Sequence, residues 1–187
     1  LALSAHKFGG PAGAGVLVVR KGVEVQALTP GHQEAGLRGG TQNVPYAEAL
    51  ALALELAHEE QPVHAARVQA LRDTFEREVR SRIPDVTVNG EGAPRVPNTS
   101  NLCFHGADGE ALLIALDLEG ICVSSGAACA SGTLTPSHVL LAMGLTPAQA
   151  HGALRFSLGP AATEAEVARV VEALTTHVPR ARALNLE

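Results

Sequence analysis

Aromatic side chains are nearly missing: they make up 3% of the 187 residues, with no Trp and one Tyr. A surface that reads nucleic-acid bases by stacking needs such rings, so that role is excluded. Basic residues are also few, 14 against 19 acidic, for a net charge of −5. There is no positive field to track a phosphate backbone, and no nucleic-acid binding is expected. Cysteine occurs three times, at Cys103, Cys122 and Cys129. An odd, sparse set argues against a disulfide framework and reads as a reducing, cytoplasmic compartment. No Cys-x-x-Cys is present, so a cysteine metal centre is disfavoured. No apolar run approaches the roughly 20 residues that span a bilayer, and Leu1–Ala5 is too short for a signal peptide. What is present is 46% apolar and 18% charged residues, enough for a substantial core in one domain or two small ones. The 19 Gly and 11 Pro are spread out, which excludes a collagenous or disordered chain.

The first forty residues read as strand and loop. Val16–Val19 is a short β-branched run, and Val23–Gln26 alternates apolar with polar, as a half-buried strand does. A strongly apolar helix follows from about Tyr46 to Glu60, apolar far enough round to expect burial on several sides. Pro62 then punctuates the chain. From Val63 to Arg82 the pattern is amphipathic, with Val68, Leu71, Phe75 and Val79 on one face and Arg72–Glu76 and Glu76–Arg80 spaced i,i+4. That change places a domain boundary near residue 60, giving domains 1–60 and 61–187.

The remainder alternates short strands and helices. Val86–Val88 and Asn98–Phe104 read as strands. Asp108 can cap a helix that Gly120 stops. Ile121–Ser124 is extended. Thr135 and Pro136 can open a short helix ending at Gly144. Arg155–Leu158 is a strand, and Thr163–Glu166 is a capping box before a last helix whose core face is Val167, Val170, Val171 and Leu174. The class is α/β or α+β, with strands of mixed direction in the C-terminal part.

Four segments could carry chemistry. In Ser4-Ala-His-Lys7, followed by Gly9-Gly-Pro-Ala-Gly13, an amine stands beside an imidazole and small residues. Such a lysine can form a Schiff base, and the glycines admit close backbone approach, though a surface lysine before a turn has the same local pattern. In Gly31-His-Gln-Glu34 and Arg38-Gly-Gly-Thr41, a guanidinium and a hydroxyl among glycines can bind phosphate or carboxylate; a solvated loop is the alternative. Ser124–Gly132 surrounds Cys129 with small residues and no bulky anchor, so this thiol should be exposed and mobile, unlike Cys103 and Cys122, which sit in apolar runs. Arg155 lies inside an apolar strand, where it needs either a protein carboxylate or a ligand carboxylate.

In this order, the Ser-x-His-Lys segment, the Gln-Glu…Arg-x-Gly-Thr segment, the Ser-Ser-Gly-x-Ala-Cys-x-Ser loop with its following Pro-Ser-His-Val-Leu, and the Arg-Phe-Ser-Leu-Gly strand resemble the cysteine desulfurases. The longer cysteine loop is similar to the NifS-type class. The resemblance implies an aminotransferase-like, fold type I α/β architecture using pyridoxal 5'-phosphate (PLP). The chain would be its C-terminal portion: 1–60 the end of the large parallel-sheet domain, 61–187 the small α+β domain with the catalytic cysteine loop. By the same resemblance, Lys7 would hold the cofactor as a Schiff base and later move protons. Ser4 and His6 would hold its phosphate, and Thr41 would reach the phosphate of the partner subunit's cofactor in a homodimer. Arg155 would bind the carboxylate of L-cysteine, and Cys129 would take its sulfur. The implied partners are L-cysteine, a second copy and a sulfur-acceptor or iron–sulfur scaffold protein, with no membrane and at most an indirect link to tRNA thiolation.

Departures from the family pattern are mild within the segments: Ala12 stands where a lysine is usual, and the loop reads Gly-Ala-Ala-Cys-Ala. Family chains are longer, and their further half would supply the carboxylate at the pyridine nitrogen, a ring-stacking histidine and most of the parallel sheet. Two other readings compete: a non-catalytic module that docks a sulfur acceptor, and a related PLP enzyme such as a selenocysteine lyase or aminotransferase. The cysteine loop argues against the last.

Overall fold

The computed structural model describes residues 1–125 and 136–184, which divide into two units, Leu1–Val63 and His64–Glu187. The first unit opens with strands β1 (Ala2–Ser4) and β2 (Gly15–Leu17), paired antiparallel with Ala2 opposite Leu17. A one-turn 3₁₀ helix, Ala5–Lys7, follows β1 directly. Val23–Gln26 does not form the expected strand: no neighbouring strand pairs with it, and Val23 is exposed, so the alternation has no face to bury. Parallel pairing among the described residues occurs at the isolated Thr29–Arg38 bridge.

Helix α1 runs unbroken from Val44 to Arg82, with Pro62 inside it. The expected break at this proline is therefore absent. An interior proline removes one backbone hydrogen bond and costs about 3 kcal/mol. The Ala-, Leu- and Glu-rich turns before it and the well-packed turns after it favour helix on both sides of the defect. Its first half also departs from expectation, because Leu52, Leu54 and Leu56 are exposed. In its second half Val68, Leu71, Phe75 and Val79 are all buried, as the periodicity implies. Each such side chain contributes roughly 1.5–3 kcal/mol of apolar burial.

That face packs on a three-stranded antiparallel sheet ordered β3 (Val86–Val88), β4 (Thr99–Phe104), β5 (Ala153–Ser157). The expected mixed strand directions are not found among the described strands, because short turns and helical returns bring each neighbour back antiparallel. Side chains alternate across the sheet. Leu102, Phe104, Leu154 and Phe156 face the main core, whereas Cys103 and Ala153 pack on the other side against Leu140 and Ala150. Phe156 stacks tilted on Phe75 at 4.8 Å and edge-on to Phe104 at 6.4 Å. Three of the four phenylalanines thus meet in one place.

Helix α2 (Gly109–Leu118) starts where Asp108 accepts from the Glu110 and Ala111 amides, and it ends before Gly120, whose φ of +73° suits glycine. Helix α3 (His138–Ala142) opens two residues later than Pro136 suggests, because Ser137 takes the non-helical N-cap conformation. Thr135 lies outside the described residues. Helix α4 (Pro147–His151) carries a complete Thr146–Gln149 capping box that the sequence reading passed over. Helix α5 (Glu164–Leu184) follows the Thr163–Glu166 box and buries Val167, Val171, Leu174 and Val178.

Candidate active site

The lysine turn is built by backbone bonds rather than by burial. Ala5 donates to Ala14 O at 3.0 Å, and both Phe8 and Gly10 donate to Ala5 O. Ala5 is fully buried, and a Cβ on Gly10 would come within 2.8 Å of the Ala5 methyl, so glycine is required for this closure. The turn leaves Ser4, His6 and Lys7 exposed on either side of the buried Ala5. Ser4 stands at the N-cap without capping, and none of the three side chains has a partner among the described residues. A hydroxyl, an imidazole and an amine with uncommitted donors therefore share one turn.

The second glycine-rich loop is also self-braced. Gly39 donates to Thr29 O at 3.0 Å, and Gly40 donates to Gln33 Oε1 at 3.1 Å. Glu34 and Ala35 have φ of 51° and 55°, left-handed values that cost non-glycine residues free energy. Arg38 makes one long bond, 3.4 Å, to Gly40 O, and the exposed Thr41 hydroxyl has no partner among the described residues.

In the second unit, Arg155 sits in β5 between buried Leu154 and Phe156, so its side chain leaves the sheet on the face opposite the main core. No protein carboxylate pairs with it among the described residues, and its Nε is buried without a hydrogen-bond partner. The internal ion pair that an arginine in such a strand could have is absent among the described residues. Its backbone instead holds Ser124: Arg155 N donates to Ser124 O at 2.7 Å, and Ser124 N donates back at 3.2 Å. This bridge ties the guanidinium to the root of the segment leading to Cys129. Cys129 itself, with its small-residue neighbours, lies outside the described residues. The bridge escaped the sequence reading because its pairing spans thirty-one residues and has no local signature; the two serines after Val123 are its only trace.

The remaining thiols differ from each other. Cys103 is fully buried in β4, bonds Gln149 O at 3.0 Å, and has its pKa pushed up by burial. It is held as a neutral thiol, unsuited to nucleophilic attack. Cys122 is free and exposed, contrary to the expectation of a strand-buried cysteine; Ile121 beside it takes the inward position. A cavity of about 430 Å³ lies on the main-core face, lined by Phe75, Ile121, Cys122, Phe156, Val167 and Val170 among others. Ser4, His6, Lys7, Thr41 and Arg155 do not line it, and we place no reaction there.

The donor set suits PLP and an amino-acid substrate. The uncommitted groups at Ser4, His6, Lys7 and Thr41 match a phosphate and an aldehyde, and the orphaned guanidinium of Arg155 matches a carboxylate. The aminotransferase class-V family pattern matches residues 1–170. A cysteine desulfurase of Trichormus azollae is 47% identical over 188 residues, covering 99% of this chain and 46% of the relative. Among solved structures, a NifS-like protein from Rickettsia africae ESF-5 superposes with a TM-score of 0.82 at 28% identity, over 96% of this chain and 47% of that one. SspA in complex with cysteine superposes with a TM-score of 0.59 at 32% identity, over 85% and 43%. The chain thus spans about half the length of the curated relatives it matches. On this match it belongs to the aminotransferase class-V family, the PLP-dependent fold type I proteins, within the cysteine-desulfurase group that includes NifS.

Proposed function

We propose that this chain is the C-terminal portion of a PLP-dependent cysteine desulfurase, which removes sulfur from L-cysteine, releases L-alanine and leaves a persulfide on the protein. Residues 1–60 are its share of the large domain, and 61–187 form the small domain. Lys7 holds the cofactor covalently, with Ser4 and His6 on its phosphate and Thr41 on that of the partner subunit in a homodimer. Bound there, PLP supplies an electron sink for charge developing at the substrate Cα. Lys7 Nζ, once released, takes the Cα proton as general base. Arg155 fixes the substrate carboxylate and so orients the Cα–H and the thiol. The Cys129 thiolate attacks the substrate sulfur: an S–S bond forms, the substrate C–S bond breaks with its electron pair left on Cβ, Cβ takes a proton, Lys7 returns the proton at Cα, and the carbon skeleton leaves as alanine. The persulfide then passes to a sulfur-acceptor or iron–sulfur scaffold protein in the cytoplasm.

The observation that carries this reading is Arg155, whose buried Nε has no partner among the described residues and whose backbone is bridged to Ser124, at the root of the Cys129 segment. The test uses the longer protein loaded with PLP. Lys7→Ala abolishes the absorbance of the Schiff base between protein and cofactor. Cys129→Ser keeps that absorbance but stops persulfide formation. Equal persulfide yield from Cys129→Ser overturns the nucleophile assignment. Chain 1–187 alone, given PLP and L-cysteine, releases no alanine; robust release would show that the further half is not needed.

A further inference from the structure

We propose that Asn101, oriented by Asn89, is a second substrate-positioning residue, donating to the same carboxylate that Arg155 binds. The inference rests on the reading of Arg155 as the carboxylate anchor and adds a residue to it. Asn101 and Arg155 are direct cross-strand partners in the β4–β5 ladder. Phe104 N donates to Gly152 O, and Leu158 N donates to Asn98 O. Those even-numbered β4 positions are therefore the hydrogen-bonded pairs of the ladder, and Asn101–Arg155 falls between them. In an antiparallel sheet the non-hydrogen-bonded pairs bring their side chains closest, with Cα atoms about 4.5 Å apart. The two backbones turn outward instead: Arg155 bonds Ser124, and Asn101 O accepts from Asn89 N at 2.8 Å. Both side chains are thus on one face, adjacent, and away from the main core.

Their polar atoms are mismatched. Asn89 Nδ2 donates to Asn101 Oδ1 at 2.6 Å, in a partly buried bond. That bond takes one lone pair of the amide oxygen, fixes which end of the amide faces Asn89, and leaves Nδ2 as the free end of Asn101, with two donors and no partner among the described residues. Arg155 has only donors, and its Nε is buried and unpaired among the described residues. No hydrogen bond joins the two side chains among the described residues. Two neighbouring donor groups without an acceptor call for an anion with at least two oxygens, which a carboxylate provides. An aspartate at 101 would pair with Arg155 internally and close the site, so the amide is the side chain of this shape that keeps the guanidinium available.

The test compares the PLP-loaded protein containing this chain with its Asn101→Ala, Asn101→Asp, Asn89→Ala and Arg155→Ala variants. Two substrates are used: L-cysteine, and cysteamine, which keeps the amine and thiol but lacks the carboxylate. Loss of one hydrogen bond to a charged group makes Asn101→Ala raise KM for L-cysteine about tenfold, with kcat within about twofold and cysteamine unaffected. Asn101→Asp keeps the Asn89 bond and the side-chain shape, so it reads the lost donor even where alanine disturbs the strand, and it raises KM further. Asn89→Ala frees the amide to rotate and gives a smaller rise, about threefold. Calorimetric binding of L-alanine weakens in the same order. Unchanged KM in both Asn101 variants while Arg155→Ala raises it overturns this inference and leaves the anchor reading standing. Equal losses with cysteine and cysteamine also overturn it, because they indicate a merely structural asparagine. An unchanged KM in Arg155→Ala removes the anchor itself, and the role of Asn101 with it.

Discussion

The two units treat their apolar residues in opposite ways. Residues 1–63 bury only Ala5 and Leu50 among their apolar side chains, whereas the second unit closes one core around Phe75, Phe104 and Phe156 and a smaller one around Cys103. The sequence of the first unit is no less apolar there: Leu52, Leu54, Leu56 and Val63 belong to one helix that later buries Val68 and Leu71. What differs is the availability of a partner surface. Geometry in the first unit is therefore fixed by short backbone bonds and glycines around the lysine turn, and in the second by side-chain packing. Chemistry follows the same division. The first unit offers exposed, uncommitted donors, and the second holds an arginine whose partly buried setting makes its missing partner conspicuous.

The largest expected contrast is in stability. Phe156 touches both other core rings, so Phe156→Ala should cost about 3–5 kcal/mol. Leu52 is 57% exposed, so Leu52→Ala should stay within about 0.5 kcal/mol. Urea unfolding followed by far-ultraviolet circular dichroism measures both. A comparable loss in Leu52→Ala would mean that the first half of α1 is packed after all. The next contrast is in association. Leu52 and Leu56 lie one turn apart, and Val63 continues their stripe along α1. An exposed stripe of this kind drives self-association. Sedimentation of the 187-residue chain should show oligomers, and the Leu52→Glu, Leu56→Glu double variant should shift it toward monomer. Identical sedimentation of the two proteins would mean that the stripe is not the adhesive surface.

Much of the second unit was legible because its signals are local. The Asp108 cap with the Gly120 stop, the Thr163–Glu166 box and the Val68–Leu71–Phe75–Val79 stripe each lie within a few helical turns and behave as such patterns do. Pro62 misled because a proline defect is weighed against the helix on both sides of it, which no single position records. The lysine, the arginine and the cysteine segment stood out by residue type, and the resemblance gave them roles. What no local pattern held was register. That Arg155 faces Asn101, bridges Ser124 and meets no carboxylate among the described residues depends on pairings across dozens of residues. Glu76–Arg80 shows the same limit on a smaller scale: Glu76 pairs with Arg95 at 2.7 Å and Arg80 with Glu91 at 2.5 Å, both off the helix.

The smallest contrast concerns how locally a cap acts within the packed unit. The Ala111 amide, and then that of Glu110, hold the Asp108 carboxyl below the usual aspartate range, with nearby His151 adding to the effect against partial burial. A carboxyl lowered on folding stabilises the folded state above its unfolded pKa of about 3.9, and that contribution disappears as pH falls through the folded value. Asp108→Ala should thus cost about 1 kcal/mol at neutral pH, and the gap to the parent should stay flat down to about pH 5 and close below about pH 4. The Asp108→Asn variant caps without a charge, so its loss is smaller at neutral pH, and because only the parent titrates at this site its gap narrows by the same amount over the same range. Urea midpoints measured from about pH 7 to about pH 3 separate the two. A gap for Asp108→Ala that persists undiminished at the acid end would mean that the carboxylate charge adds nothing to the α2 cap, and that the side chain holds this helix start through its hydrogen bonds to the Glu110 and Ala111 amides alone.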